Sequence, residues 1–399
     1  MLSDCYLAGQ GSPRQNEGVA LIRRSRAIQA ALALIALAGL LARVWTLAHR
    51  DPRDICVHDF PPLWAGAQLV GTPDLYSAEV NLRLVQNAAG CASEADISSN
   101  RPPFVAAMLW PLGRLPIRTA MFAWGLVGVA ALIGFLWLWP APKLFAAAVA
   151  CWALPVSGVI SQGQDDLLLL LWVAIAAALL ARRHPFAAGM VLALCSAKPH
   201  LFLLLPLFLI GRRLWNCLWG LLAGGAILAA VSFILAGAHW PADFLRAALS
   251  SKVSPHPWSM PNLRGLFYGL PFHTPAELIL SLVVAWMVWR IVRSPASMAY
   301  ALAATLVGGL LISHHAYLPD AALLFPAALT VPFETTSPAV GTGAVLTVLP
   351  LAYIPWAIPS LTFVPEFLIL VLLAGMAWSA RRAVQPADAA ASLVHAAGV

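Results

Sequence analysis

Charged side chains are scarce in this sequence: Asp, Glu, Lys and Arg make up 10% of 399 residues, against about 25% in soluble domains. A soluble chain of this length could not cover its surface with so few, which excludes a soluble enzyme. Cysteine is sparse too. The six are scattered without a Cys-x-x-Cys pair, so neither a thiolate metal centre nor a disulfide-built secreted scaffold is encoded. The shortage of polar residues excludes general disorder as well. What is present is apolar: 61% of residues are hydrophobic and the mean hydropathy is +0.80. The apolar runs approach the roughly 20 residues that cross a bilayer. The chain reads as an all-α, polytopic membrane protein. Its 16 tryptophans suit rings anchored at two interfaces, and its net charge of +7 belongs to cytoplasmic loops. No nucleic-acid partner is expected.

Arg23, Arg24 and Arg26 precede the first apolar run, 27–48, which places the N-terminus in the cytoplasm. Residues 1–22 are polar and the first run is long, so no cleavable signal peptide is read. Residues 49–116 form a long external segment. Its apolar patches, 62–70 and 103–113, are too short to span and are expected as interfacial or re-entrant helices. Further spans are predicted at 117–139, 144–161, 165–181, 186–198, 199–211, 214–237, 276–293, 298–313, 317–333, 339–356 and 365–380. That gives twelve crossings with both termini inside. Arg182, Arg183, Arg212, Arg213, Arg381 and Arg382 then fall on the cytoplasmic side, as the positive-inside rule requires. A crossing by 103–115 would invert Arg182 and Arg183 and is rejected. The expected division is a cytoplasmic tail 1–26, a transmembrane domain 27–380 and a tail 381–399. The N-terminal 20 residues and the tail after Arg382 are expected to be disordered, and no internal repeat is visible.

The unusual polar residues gather on the external side, where burial near a bilayer makes them functional candidates. Asp59 follows the first span in HDFPPLWAGAQL, and either caps the next helix or serves chemistry. Asp165 and Asp166 lie in SQGQDD, where capping the following helix is the simpler reading. Lys198 sits in a 25-residue apolar stretch before Pro199, which marks a helical hairpin tip; the plain alternative is snorkelling. His256, Trp258, Asn262 and Arg264 lie in SPHPWSMPNLRG, and His314, His315, Tyr317 and Asp320 in ISHHAYLPD. Arg101 and Arg264 have a plain reading as lipid headgroup contacts. Cys56 and Cys91, the external cysteines, are candidates for a bridge in an oxidising periplasm.

The order DFPPLWAGAQLVGTPDLY, RPPFVAAMLWPLGRLP, GQDDLLLLLWVA, AAGMVLALCSAKPHLFLLLPLFLIGRR and SHHAYLPDAALL resembles glycosyltransferase family 87. The resemblance runs from about residue 27 to residue 335 and is carried by order and spacing. It implies a GT-C-like fold in a bacterial inner membrane, with the active site facing the periplasm. It implies a polyprenyl-phosphate sugar donor, mannose being the best-known case, and a lipid- or glycan-linked acceptor among membrane lipids. The family's acid maps to Asp59, its GQ turn to Gly163 and Gln164, its Lys-Pro tip to Lys198 and Pro199, and its histidine segment to His314 and His315. Members often carry Asn after the GQ turn. Asp165 and Asp166 here add negative charge, so no cofactor is expected but a divalent metal stays open. On this reading Asp59 is the general base of an inverting transfer. Lys198, Arg264, His314 and His315 meet the donor phosphate, while Gln164, Asp165, Trp258 and Tyr317 meet substrate. The competing class is a transporter or flippase of lipid-linked sugars, with Lys198 at a broken helix.

Overall fold

The computed structural model describes residues 25–48, 58–90, 99–249 and 256–382. The expectations of disordered tails and of a Cys56–Cys91 bridge lie outside the described residues. Among the described residues every regular element is a helix and no strand occurs. An apolar chain in lipid is driven to this, because a helix satisfies each backbone N–H and C=O within its own segment.

α1 (Arg26–Ala48) is followed by three short helices of the first external segment: α2 (Phe60–Leu69), α3 (Ala78–Ala89) and α4 (Pro103–Gly113). α2 and α4 are the two expected apolar patches, and they pack on each other. α3 was not announced by an apolar run. It is amphipathic and buries only Asn81 and Val85, four residues apart on one face. The Ser77 hydroxyl accepts from the Val80 N–H at 3.4 Å at its start, and Gly90 closes it in the left-handed region.

The remaining helices run in order: α5 (Ile117–Leu138), α6 (Lys143–Trp152), α7 (Leu154–Gln162), α8 (Asp166–Ala181), α9 (Pro185–Ala193) and α10 (Leu205–Gly211). Then come α11 (Trp215–Ala236), α12 (Trp240–Ala248), α13 (Leu263–Leu266), α14 (His273–Val292), α15 (Met298–Ile312), α16 (Phe325–Glu334), α17 (Pro338–Leu346) and α18 (Val364–Arg382). Each of the twelve apolar runs contains helix, but length separates them. Four stretches are long and apolar enough to cross a bilayer: α5, α11, α14 and 359–380, which includes most of α18. Two bent pairs raise this to six: α6 with α7, bent by 64°, and α17 with the 3-10 turn Pro350–Ala357, bent by 62°. Pro155 and Pro350 stand at the breaks, where the missing N–H stops the ladder. α8, α9, α10 and α15 are too short for a full crossing at 1.5 Å rise per residue.

The helices differ in what surrounds them. α5, α11 and α14 expose most of their apolar surface, as lipid-facing spans do. α15 is buried from Ala299 to Leu311 and packs against α14, α16 and α18, forming the central post. Small residues let backbones meet, the usual device for helix pairs in lipid. Gly189 of α9 lies against the Cys217 carbonyl of α11, and Gly220 of α11 against the Phe186 carbonyl of α9, with no room for a Cβ at either. Gly309 of α15 likewise receives the Leu201 carbonyl. That contact fixes the tip between α9 and α10 against the post.

Candidate active site

Three breaks in the helical pattern supply the site, and each has a sequence cause. The first is the turn after α7. Gly163 has φ +74°, and a Cβ there would lie 2.6 Å from the Cβ of Phe60, so only glycine fits the conformation and the space. The turn is pinned to the start of α2, where the Asp59 N–H donates to the Gln162 carbonyl at 3.0 Å. The Trp124 indole holds it from α5 by donating to the Gly163 carbonyl at 2.9 Å. The second break is the tip itself, two 3-10 turns, Leu194–Ala197 and Pro199–Phe202, with Lys198 between them. Pro199 disfavours helical backbone for the residue before it, and Lys198 takes φ −130°, ψ 72°. The third is the Ser313–Pro319 connection from α15 to the 3-10 turn Asp320–Leu324.

These breaks, with Arg101 from just before α4, bring five charged side chains into one buried lattice. The Lys198 ammonium, 2% exposed, donates to both oxygens of Asp166 at 2.8 Å and to Asp320 at 2.7 Å, with Asp165 at 3.3 Å. Arg101, 6% exposed, grips Asp165 with two parallel bonds of 3.0 Å, from Nε to Oδ2 and from Nη2 to Oδ1. Its remaining donors reach the amide oxygens of Gln164 at 2.9 Å and Asn100 at 2.8 Å. The second oxygen of Asp320 accepts from the Tyr317 N–H at 2.7 Å. Buried charges of this kind persist only when paired and hydrogen-bonded.

Above the lattice lies an accessible rim. Asp59 is exposed, His314 is exposed, and Gln164, Trp258, Arg264, His315 and Tyr317 are half-buried. Three bonds stitch the 256–266 loop to the third break. Asn262 donates to the Ser313 carbonyl at 2.9 Å, Arg264 to the His314 carbonyl at 3.2 Å, and the His256 N–H to the Tyr317 hydroxyl at 3.2 Å. The rings of His200, His314 and His315 lie within 5.7 to 6.2 Å of one another, and His315 meets Tyr317 edge-on at 5.2 Å. Burial pushes the His315 imidazole down to about 4, leaving it neutral at physiological pH. Although Asp59 keeps accessible surface, the protein packed around it displaces bulk solvent and raises its carboxyl above the ordinary value, with the Lys198 charge pulling the other way.

The expected site residues thus collect at one end of the molecule, but in two kinds of place. Asp59 occupies the cap position of α2 yet makes no capping bond. The reason is chemical: the capping donors are the N–H groups of the second and third helical residues, and these are Pro61 and Pro62. Asp165 makes no capping bond either; its carboxylate faces Arg101. Lys198 does not snorkel, and Arg101 is no headgroup contact. From sequence, Asp166, Asp320, Arg101 and His200 stand among the polar residues of this face without an assigned role in the reaction. Their signal was present: three acids in apolar surroundings require cations, and Lys198 alone cannot satisfy them. Asp165 and Asp166 turn their oxygens to Arg101 and Lys198. Among the described residues no three His, Cys, Asp or Glu side chains are placed to hold a metal ion.

The family model described as glycosyltransferase family 87 matches residues 101–314. The match opens at Arg101 and closes at His314, so it takes in most of the lattice and the 256–266 loop. No curated protein and no solved structure matches the chain.

Proposed function

The chain belongs to glycosyltransferase family 87, and from that premise we propose that it moves a sugar from a polyprenyl-phosphate sugar to a lipid- or glycan-linked hydroxyl. Mannose or another hexose is the sugar, and the reaction takes place at the periplasmic face of a bacterial inner membrane. The proposed frame is GT-C-like, with twelve crossings and both termini in the cytoplasm. The shorter helices then lie beside a protein-lined cavity, where incomplete spans are tolerated. A glycosyltransferase family favours this over carriage of lipid-linked sugars.

In the proposed step the acceptor oxygen attacks C1 of the donor sugar while Asp59 takes its proton. The C1–O bond to phosphate breaks, its electron pair leaves with the polyprenyl phosphate, and the anomeric centre inverts. General-base help of this kind is worth about 10²–10⁴-fold. Charge develops on the leaving phosphate and calls for fixed donors. Arg264, His314 and His315 are assigned that role, with His315 acting as a neutral hydrogen-bond donor. Trp258 and Tyr317 contact the sugar. Lys198 and Asp165 are reassigned to the frame, since their charges are spent on one another and on Arg101, Asp166 and Asp320.

The observation that carries this reading is the division among four neighbouring acids. Asp165, Asp166 and Asp320 are buried and cation-paired, whereas Asp59 is accessible and has no cation within ion-pair distance among the described residues. The test is labelled-sugar transfer in membranes containing wild type or Asp59→Asn, first from synthetic polyprenyl-phosphate mannose and then from a panel of donor sugars. Product from wild type alone supports the reading. Equal product from both removes Asp59 as base, and no product with any polyprenyl-phosphate donor removes the donor class.

A further inference from the structure

We propose that His200 binds the donor sugar: its Nε2 meets a hydroxyl of the transferred hexose, the one on C2. The assignment rests on the reading of His314 and His315 as contacts of the donor phosphate. It gives work to a residue that neither the transfer step nor the lattice employs. The observation behind it is an unsatisfied atom. His200 Nε2 is buried and has no hydrogen-bond partner among the described residues. A buried polar atom in that state is destabilising, and a ligand group that completes it recovers the loss.

The ring cannot drift to a partner elsewhere. His200 lies in the 3-10 turn Pro199–Phe202, two residues after Lys198, whose ammonium is clamped on Asp166 and Asp320. One residue further on, the Leu201 carbonyl is seated on Gly309 of the post. The imidazole is thereby held against the rim, its centre 5.7 Å from that of His314 and 6.0 Å from that of His315. His314 is exposed and is tied to Arg264 through its backbone carbonyl, so its ring is the one that swings aside as the donor enters.

The chemistry selects a hydroxyl over a further phosphate contact. Lys198, Arg101 and Asp320 are the charged groups about His200, with the His315 imidazole beside them. Their lattice holds three carboxyl groups against two cations, so it supplies no net positive field to draw an anion to Nε2. An ionised phosphate oxygen only accepts. A hydroxyl donates and accepts, and so satisfies an imidazole nitrogen in either neutral tautomer. Position selects which hydroxyl. His200 stands beside both imidazoles assigned to the phosphate, and on a hexose the hydroxyl nearest the phosphate-bearing oxygen is that on C2. Hydrogen bonds to this group strengthen as the anomeric carbon gains oxocarbenium character. Mannose and glucose differ in configuration at C2 alone, so His200 bears on which of them is taken.

The test is equilibrium binding and initial-rate transfer with purified wild type, His200→Leu and His200→Gln. The probes are synthetic polyprenyl-phosphate mannose, polyprenyl-phosphate glucose and the 2-deoxy analogue that the two share. Wild type is expected to bind one of the hexose donors at least about tenfold tighter than the 2-deoxy analogue. His200→Leu is expected to erase that preference by weakening the hexose donor and leaving the analogue unchanged. His200→Gln, which again donates and accepts, is expected to recover part of it. Without donor, His200→Leu should melt at or above wild type, because it removes an unsatisfied nitrogen. A lower melting temperature, or equal weakening of hexose and 2-deoxy donors, would make His200 a structural residue and overturn the inference. Equal binding of all three donors by wild type, or binding of none, overturns it as well. If the preference is found and is lost in His200→Leu while no donor is transferred, the transfer reading fails and the sugar contact stands.

Discussion

Two sets of ionisable side chains lie side by side at one end of this molecule, and they are built by opposite rules. In the lattice, Arg101, Asp165, Asp166, Lys198 and Asp320 are buried, and every charge meets its opposite at hydrogen-bonding distance. On the rim, Asp59, Arg264, His314, His315 and Tyr317 keep accessible surface and are held chiefly through backbone contacts. The lattice joins three helix breaks far apart in sequence, so its charges serve as a clamp. The rim keeps accessible surface, which a substrate can meet. Position in the sequence does not separate the two sets: Gln164 and Asp165 are adjacent, and Tyr317 lies three residues before Asp320. Pairing and exposure do.

Substitutions on either side sharpen or break that comparison. The largest effect is expected at Asp59: Asp59→Asn should lower transfer about 10²–10⁴-fold with an unchanged melting temperature in detergent. A fall in melting temperature would move Asp59 into the clamp. Lys198→Met comes next, because it leaves Asp166 and Asp320 without their cation, and breaking a buried pair in this way costs about 3–5 kcal/mol. Thermal melts and recovery of monodisperse protein measure it, and a variant melting with wild type would dissolve the clamp. Gly163→Ala is expected to cost about 1–3 kcal/mol through its left-handed backbone and the crowding at Phe60. Activity should fall with stability there, since that turn holds both sets. The smallest effect is expected at Arg264→Ala. A KM for donor raised about tenfold, or 1.4 kcal/mol, with an unmoved melting temperature would confirm a rim residue by initial-rate kinetics.

The helical class and the placement of nearly every helix were legible because hydrophobic runs and proline breaks act locally. Span length was not, since apolar residues flank a break as readily as they continue through it. The runs at 186–198 and 199–211 became short helices around 3-10 turns for that reason. The absence of a capping bond at Asp59 was written in Pro61 and Pro62. Lys198 could be named as important but not as a clamp. Whether a lone buried cation faces ligand or carboxylate depends on where Asp166 and Asp320 arrive, which is decided by packing across 122 residues of chain. Arg101 was passed over because an arginine near an interface looks the same in sequence whether it meets lipid or Asp165.

The most direct test of the division is turnover per folded molecule for Asp59→Asn and Asp166→Asn, measured together with their melting temperatures. Asp59→Asn is expected to melt with wild type and to transfer almost nothing. Asp166→Asn is expected to melt lower, while its surviving folded molecules turn over within about tenfold of wild type. The reverse pattern, a stable but inert Asp166→Asn beside an unstable Asp59→Asn that still transfers, would place the chemistry in the lattice and contradict the division drawn between them.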